Sequence, residues 1–304
     1  MNLALEPVEP GNLAQFLRYC AQYGPEHDES YLPGEDFVIS ADRPSYLLLE
    51  EGKAVGAVSL MRTPAYVQAR RGRFAILHAR VPATEPYAAL YQAISQHFDG
   101  LDQVYLFAPT ERHDTAGILR ELGFGVERYS FVLSLRDPQP RAMQFEEGFE
   151  VVALRPQDGA AIQRFVELVN SNFRQLAGHV ELSAQDVQGW FREASQLENG
   201  ICLLVRGEEA VGTVCITRDL SDEGASEITA LGVAEGFRGR GLGRQLLRYA
   251  VNFSVSHGLK PVYLSVNGEN HLATRLYITE GFMLEQTVVC YAKDVQEAGN
   301  QSNR

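Results

Sequence analysis

From residue 149 onward the chain reads as short apolar runs separated by polar punctuation. "FEVVALR" (149–155) alternates like a strand, and residues 156–170 recur at helical spacing. Ser183 stands where a helix N-cap belongs, ahead of a second helix carrying Trp190. "ICLLVRG" and "AVGTVCITRD" form a hairpin about Gly207, Glu208 and Glu209, and "SEITALGV" is a third strand. Gly241 to about His257 is helical, "PVYLSV" is a strand, Leu272–Glu280 is a helix and "EQTVVCYAK" is a last strand. The predicted order is β-α-α-β-β-β-α-β-α-β, an α/β chain with a mixed sheet.

The first half echoes the second. "YLLLEEGKAVGAVSLM" parallels "ICLLVRGEEAVGTVCI", and "VYLFAP" parallels "VYLSVN". "ILRELGFGVERYSFVLSL" parallels "LYITEGFMLEQTVVCYAK". Matching Gly123-Phe124 to Gly281-Phe282 sets the two copies 158 residues apart, and a proline- and charge-rich link, "RDPQPRAMQFEEG", separates them. The pattern predicts a tandem duplication: one unit over 1–140, a second over 147–294, and a tail without order over 295–304.

The copies differ at one place. The second has "FRGRGLGR" (237–244) opening a helix, whereas the first has "ARVPATEPYAAL" (79–90), with Pro82 and Pro86 in place of glycines. A helix start leaves amides without partners and carries partial positive charge. Glycines let those amides approach a bulky anion, and Arg238, Arg240 and Arg244 add charge. Proline removes a donor, so the first copy is expected to have lost the site. A P-loop would need GxxxxGK[ST] and a Rossmann loop GxGxxG with a later acid; neither is present, which leaves coenzyme A.

Composition narrows the setting. The 304 residues are 45% hydrophobic and 22% charged, enough apolar content for two cores. A net charge of −12 argues against a nucleic-acid partner. No apolar run approaches the ~20 residues that span a bilayer, and the first residues do not read as a signal peptide, so no membrane contact and a cytoplasmic setting are expected. The four cysteines form no CxxC pair, and the seven histidines have no metal-ligand spacing, so no metal is expected. Cys202, Cys215 and Cys290 lie in strand-like runs and are expected to be buried thiols.

Two motifs in order carry a family resemblance. Glu227-Ile228, Leu231 and Val233 lie on one strand, followed by Arg238-Gly239-Arg240-Gly241-Leu242-Gly243 at a helix start. Downstream, "NHLATRLYITEGF" has the spacing NxxAxxLYxxxGF through Asn270, Ala273, Leu276, Tyr277, Gly281 and Phe282. Residues 149–293 thus resemble a GNAT-superfamily acyltransferase. The first copy resembles the fold alone, so the chain is similar to a tandem GNAT protein with a degenerate first domain. One departure is Glu235, where the family often has proline.

The resemblance implies acetyl-CoA as acyl donor and the primary amine of a small molecule as acceptor, with direct attack and no covalent enzyme intermediate. It implies that the backbone of Leu231, Gly232 and Val233 pairs with the pantetheine arm, and that Arg238, Gly239, Arg240, Gly241, Leu242, Gly243 and Arg244 cradle the diphosphate. Asn270 and Ala273, on the next helix, complete the cofactor contacts. A lysine-like amine near 10.4 is almost wholly protonated at pH 7, so either a base or a site that selects the neutral amine is needed; Glu227 is the candidate base. Tyr277 is the candidate acid or hydrogen-bond donor to the departing thiolate. Its counterpart in the first copy is Leu119. Asp219, Asp222 and Glu223, before the Glu227 strand, are either a solvated surface or a guide for a cationic acceptor. Other readings stay open: a non-catalytic acyl-CoA sensor, or a protein N-terminal acetyltransferase. The chain is expected to be a monomer or a homodimer.

Overall fold

A computed structural model describes residues 3–27, 31–176, 179–220, 222 and 224–295. The expected tail beyond 295 lies outside the described residues, as does Glu223. The chain divides into two compact units, Met1–Tyr129 with Thr287–Arg304, and Ser130–Gln286. These are not the contiguous copies expected from the sequence, and the reason lies in strand pairing.

The second unit is built on a sheet of six strands. β7 (Phe149–Ala153) pairs with β8 (Gln196–Arg206), β8 with β9 (Glu209–Arg218) and β9 with β10 (Ser226–Val233), all antiparallel. β10 then runs parallel to β11 (Val262–Asn267). The sixth strand comes from the end of the first copy: residues 130–135 of β6 (Gly125–Leu135) pair antiparallel with β11. α5 (Gly159–Phe173) begins three residues later than expected because Asp158 is its cap, accepting from Ala161 N at 2.9 Å. α6 (Ala184–Trp190) starts on the expected Ser183, which forms a reciprocal capping box with Asp186.

Alternation along the strands divides two cores. Ile201, Leu203 and Cys215 face α5 and α6, packing with Ile162, Phe165, Val166 and Val187. Cys202, Leu204, Val214, Ile216 and Ile228 face the other way, onto Leu242, Leu246, Leu247, Ala250 and Val251. The last five belong to α7 (Leu242–Ser256). Ser226, on this second face, donates to Ser254 of α7 at 2.8 Å.

α7 is tied to the C-terminal end of α8 (His271–Thr279) by a charged cluster. Glu280, 3% exposed, accepts from Arg244 (2.7 Å) and Arg248 (2.8 Å) of α7, and from Arg141 (3.2 Å). Asn252 of α7 also holds the backbone of Arg141, accepting from its N at 2.7 Å and donating to its O at 2.9 Å. Burial alone would push the Glu280 carboxyl up, but Arg248, Arg244 and Arg141 outweigh it and hold it below the usual glutamate range.

The first unit repeats the plan. β1 (Leu3–Pro7), β2 (Ser45–Glu50), β3 (Lys53–Met61) and β4 (Arg71–Ala79) pair antiparallel in turn, and β4 runs parallel to β5 (Gln103–Pro109). Its sixth strand comes from the end of the chain: residues 288–294 of β12 (Met283–Asp294) pair antiparallel with β5. Among its helices, α1 (Leu13–Tyr23), α3 (Thr84–Ser95) and α4 (His113–Glu121) each bury one face, as at Phe16, Leu90 and Leu119; α2 (Pro64–Gln68) is a short piece before β4. Each copy therefore gives its terminal strand to the other unit's sheet. Without the exchange β5 and β11 would present an open edge.

Two outcomes follow from these contacts. A chain cut after residue 140 leaves 1–140 without the partner of β5 and 141–304 without the partner of β11. Each fragment alone is expected to aggregate, and co-expression to restore soluble protein; a monomeric, cooperatively melting 141–304 fragment would contradict the pairing. Glu280→Gln is expected to cost about 3 kcal/mol of stability at neutral pH, measured by denaturant unfolding. Because the native carboxyl titrates below its unfolded value, its contribution is present above the ordinary glutamate range and lost as pH falls through the depressed value. The gap between wild type and variant should therefore narrow in acid.

Candidate functional site

The glycine loop begins after β10 with a short 3-10 turn, Glu235–Phe237. Gly239 and Gly241 both hold φ of +79°, a region that favours glycine. Gly241 is the N-cap of α7 and offers no side-chain cap. The first helical bonds run from Arg244 N and Gln245 N to Gly241 O. Among the described residues no acceptor stands against the amides of Gly241, Leu242 and Gly243. A Cβ at 239 or 241 would meet nothing within 4 Å, so the loop is open on the side a ligand would fill. Bare amides at an open helix start suit a diphosphate, and the residues present fit the nucleotide end of coenzyme A.

The three arginines of the loop already have partners. Arg238 donates from Nε to Val233 O (3.0 Å) and from Nη2 to Asn172 Oδ1 (3.1 Å). Arg240 pairs with Glu146 and lies over the rings of Phe149 and Phe237. Arg244 is bound to Glu280. Leu242 is buried in the core under the sheet, and Gly243 packs near Leu276 and Val233. Asn270 caps α8, its Oδ1 accepting from Ala273 N at 3.2 Å.

β10 and β11 pair only at Ser226–Val262, Glu227–Tyr263 and Ile228–Leu264, although both strands continue. A register shift between Thr229 and Gly232, with Ala230 at φ +49°, turns β10 away from β11. Thr213 Oγ1 donates to Ala230 O at 2.6 Å and secures the bulge. Leu231, Gly232 and Val233 therefore lie on the part of β10 beyond this parting, beside an opening of the kind an extended chain can enter.

Glu227 is half-buried and stands opposite Thr217 on β9 and Tyr263 on β11, on the face that carries α5 and α6. Tyr263 donates to Asp222 Oδ2 at 3.0 Å, and Asp222 N donates to Asp219 Oδ1 at 3.1 Å, so the acidic loop is tethered across the sheet beside Glu227. Burial, with Asp222 and Glu285 nearby, pushes the Tyr263 hydroxyl up to about 12. Tyr277 sits in α8, 7% exposed, its ring 6.2 Å from that of Phe282. Burial pushes its hydroxyl up to about 12.

The first unit shows the same parting with different contents. β4 and β5 pair only over 71–73 and 103–105. Beyond that point the amide of Leu77 donates to His27 Nε2 at 3.2 Å. Tyr87, in the first turn of α3 and 1% exposed, reaches the backbone of Ala79 and the Thr115 side chain. The chain's own rings thus occupy what the second unit leaves open.

Sequence reasoning missed Asn172 and Arg141, which lie outside the quoted motifs, and Glu280, which fills an unspecified position of the second. The four cysteines are free and buried, with thiols pushed up by burial, to about 11 for Cys202 and about 12 for Cys20, Cys215 and Cys290. Among the described residues no cluster of three or more His, Cys, Asp or Glu could hold a metal, and no helix is long and apolar enough to cross a membrane.

Comparison with known proteins agrees with this geometry. The profile of the Acetyltransferase (GNAT) family matches residues 162–282. A mycothiol acetyltransferase of Corynebacterium efficiens is 36% identical over 104 residues, 34% of this chain and 33% of that protein, so the match spans a third of the relative's length. Another, from Nocardiopsis dassonvillei, is 25% identical over 322 residues, covering 94% of this chain and 92% of its own. A solved tandem GNAT protein from the clavulanic acid biosynthesis pathway superimposes with a TM-score of 0.73 at 14% identity, covering 98% of this chain and 100% of that one. That last likeness shows the fold alone, a tandem GNAT fold. The profile lies over the open strand edge and the bare helix start, so residues 162–282, within the second unit, are an acetyltransferase domain of the GNAT family.

Proposed function

We propose that the second unit transfers an acetyl group from acetyl-CoA to the primary amine of a small molecule, by direct attack. The observation that carries this reading is the run of unpartnered amides at Gly241, Leu242 and Gly243, at a helix start opened by glycines in the copy that also has Glu227 and Tyr277. These amides, with Arg240 and Arg244 beside them, hold the diphosphate, and the backbone of Leu231–Val233 aligns the pantetheine arm. Asn270 and Ala273, at the start of α8, complete the cofactor contacts. Acetyl-CoA supplies a thioester carbon open to a neutral amine.

The chain's residues manage protons. As nitrogen gains the acyl carbon it must lose a proton, and Glu227 takes it, directly or through water. Tyr277 faces the leaving sulfur. With its hydroxyl pushed up to about 12, full transfer to a thiolate of ordinary basicity near 8.5 is uphill by about 5 kcal/mol. Tyr277 therefore acts by donating a hydrogen bond and keeps its proton. The first unit does no chemistry, since His27 and Tyr87 stand where its opening would be. The name of the relatives makes amines related to mycothiol the first acceptors to assay.

Calorimetry and release of free coenzyme A test this reading. Gly241→Val places a side chain where the cradle is open and is expected to weaken acetyl-CoA binding by on the order of a hundredfold; unchanged binding would place the diphosphate elsewhere. Tyr277→Phe is expected to lower kcat roughly tenfold or more with acetyl-CoA affinity within about twofold. Glu227→Gln should lower turnover by on the order of a hundredfold. Turnover at the wild-type level in either variant would reduce that residue to packing or surface.

A further inference from the structure

Asn172, in the last turn of α5, is held in one orientation by the loop. Its Oδ1 accepts from Arg238 Nη2 at 3.1 Å, which fixes which end of the amide is the donor. The donor, Nδ2, is shielded from solvent and has no hydrogen-bond partner among the described residues. It faces β10: a Cβ built on Gly232 would lie 2.7 Å from Nδ2. Glycine at 232 is thus required for this approach. A buried amide donor left without an acceptor costs about 1–3 kcal/mol, so its persistence calls for an explanation.

Three observations meet at one point. The orphaned donor sits on the stretch of β10 that has parted from β11. The glycine beneath it makes room for the amide and for nothing larger. Arg238 binds both Asn172 Oδ1 and Val233 O, so side-chain amide, strand edge and anion loop form one connected element. Resting on the proposed function, we infer that Asn172 is a further acyl-CoA contact, its Nδ2–H donating to a carbonyl of the pantetheine arm beside Gly232. It is a binding residue for the arm and takes no part in holding the nucleotide.

Two probes separate these roles: acetyl-CoA, and adenosine 3′,5′-bisphosphate, which carries the nucleotide end without the arm. Calorimetry with the full chain is expected to show acetyl-CoA bound about tenfold more weakly by Asn172→Ala, with the bisphosphate bound within about twofold of wild type. Asn172→Asp keeps an oxygen for Arg238 and replaces the donor by a charged carboxylate oxygen, and should weaken acetyl-CoA at least as much; melting curves establish that both variants are folded. Acetyl-CoA affinity unchanged in both variants would overturn the inference. So would an equal loss for both probes, which would make Asn172 a support for the loop through Arg238. Wild-type protein binding neither probe would instead remove the proposed function, and this inference with it.

Discussion

Two parallel strands that pair for three residues and then part leave peptide groups without partners on the separated edges, and a folded chain must find something for them. Both units carry this feature, at β4–β5 and at β10–β11. They meet it in opposite ways. In the first, His27 accepts from the Leu77 amide and Tyr87 reaches the backbone of Ala79. In the second, Arg238 covers Val233 O, while Asn172 Nδ2 and the first amides of α7 have no acceptor in the described chain. The glycine-opened start of α7 and the Asn172 donor over Gly232 are the features of the second unit on which the proposed binding site rests.

Rigidity around that opening comes from charge. Glu280 binds Arg244 and Arg248 on α7 together with Arg141, and Arg240 is held by Glu146 and two aromatic rings. The guanidinium groups are thereby fixed in place before any ligand arrives, which lowers the ordering cost of binding. On the neighbouring strand Tyr263, paired with Glu227, binds Asp222 through its hydroxyl. The acidic loop thus has a structural tie, and under the proposed function its charge suits a cationic amine.

What was legible in the sequence was local. The order of elements, the Ser183 cap, the loop at 239–243 and the loss of that loop in the first copy all follow from neighbouring residues. The strand exchange was not legible, because β6 and β12 have similar patterns and nothing within either marks which sheet it closes. α5 starts later than its spacing suggests because Asp158, five residues past β7, holds the cap. Asn172 and His27 act by approach across the fold, so no spacing in the sequence marks them. The sequence shows the charge of the loop arginines, and only the fold shows Glu146, Glu280 and Asn172 against them.

The central claim is that the unpartnered amides at the start of α7 grip the diphosphate of acetyl-CoA. A crystal structure of the full chain soaked with acetyl-CoA tests it most directly. The account predicts one molecule per chain, its diphosphate within hydrogen-bonding distance of the amides of Gly241, Leu242 and Gly243. Density for the diphosphate at the start of α3 in the first unit, or its absence from both helix starts at saturating ligand, would contradict it.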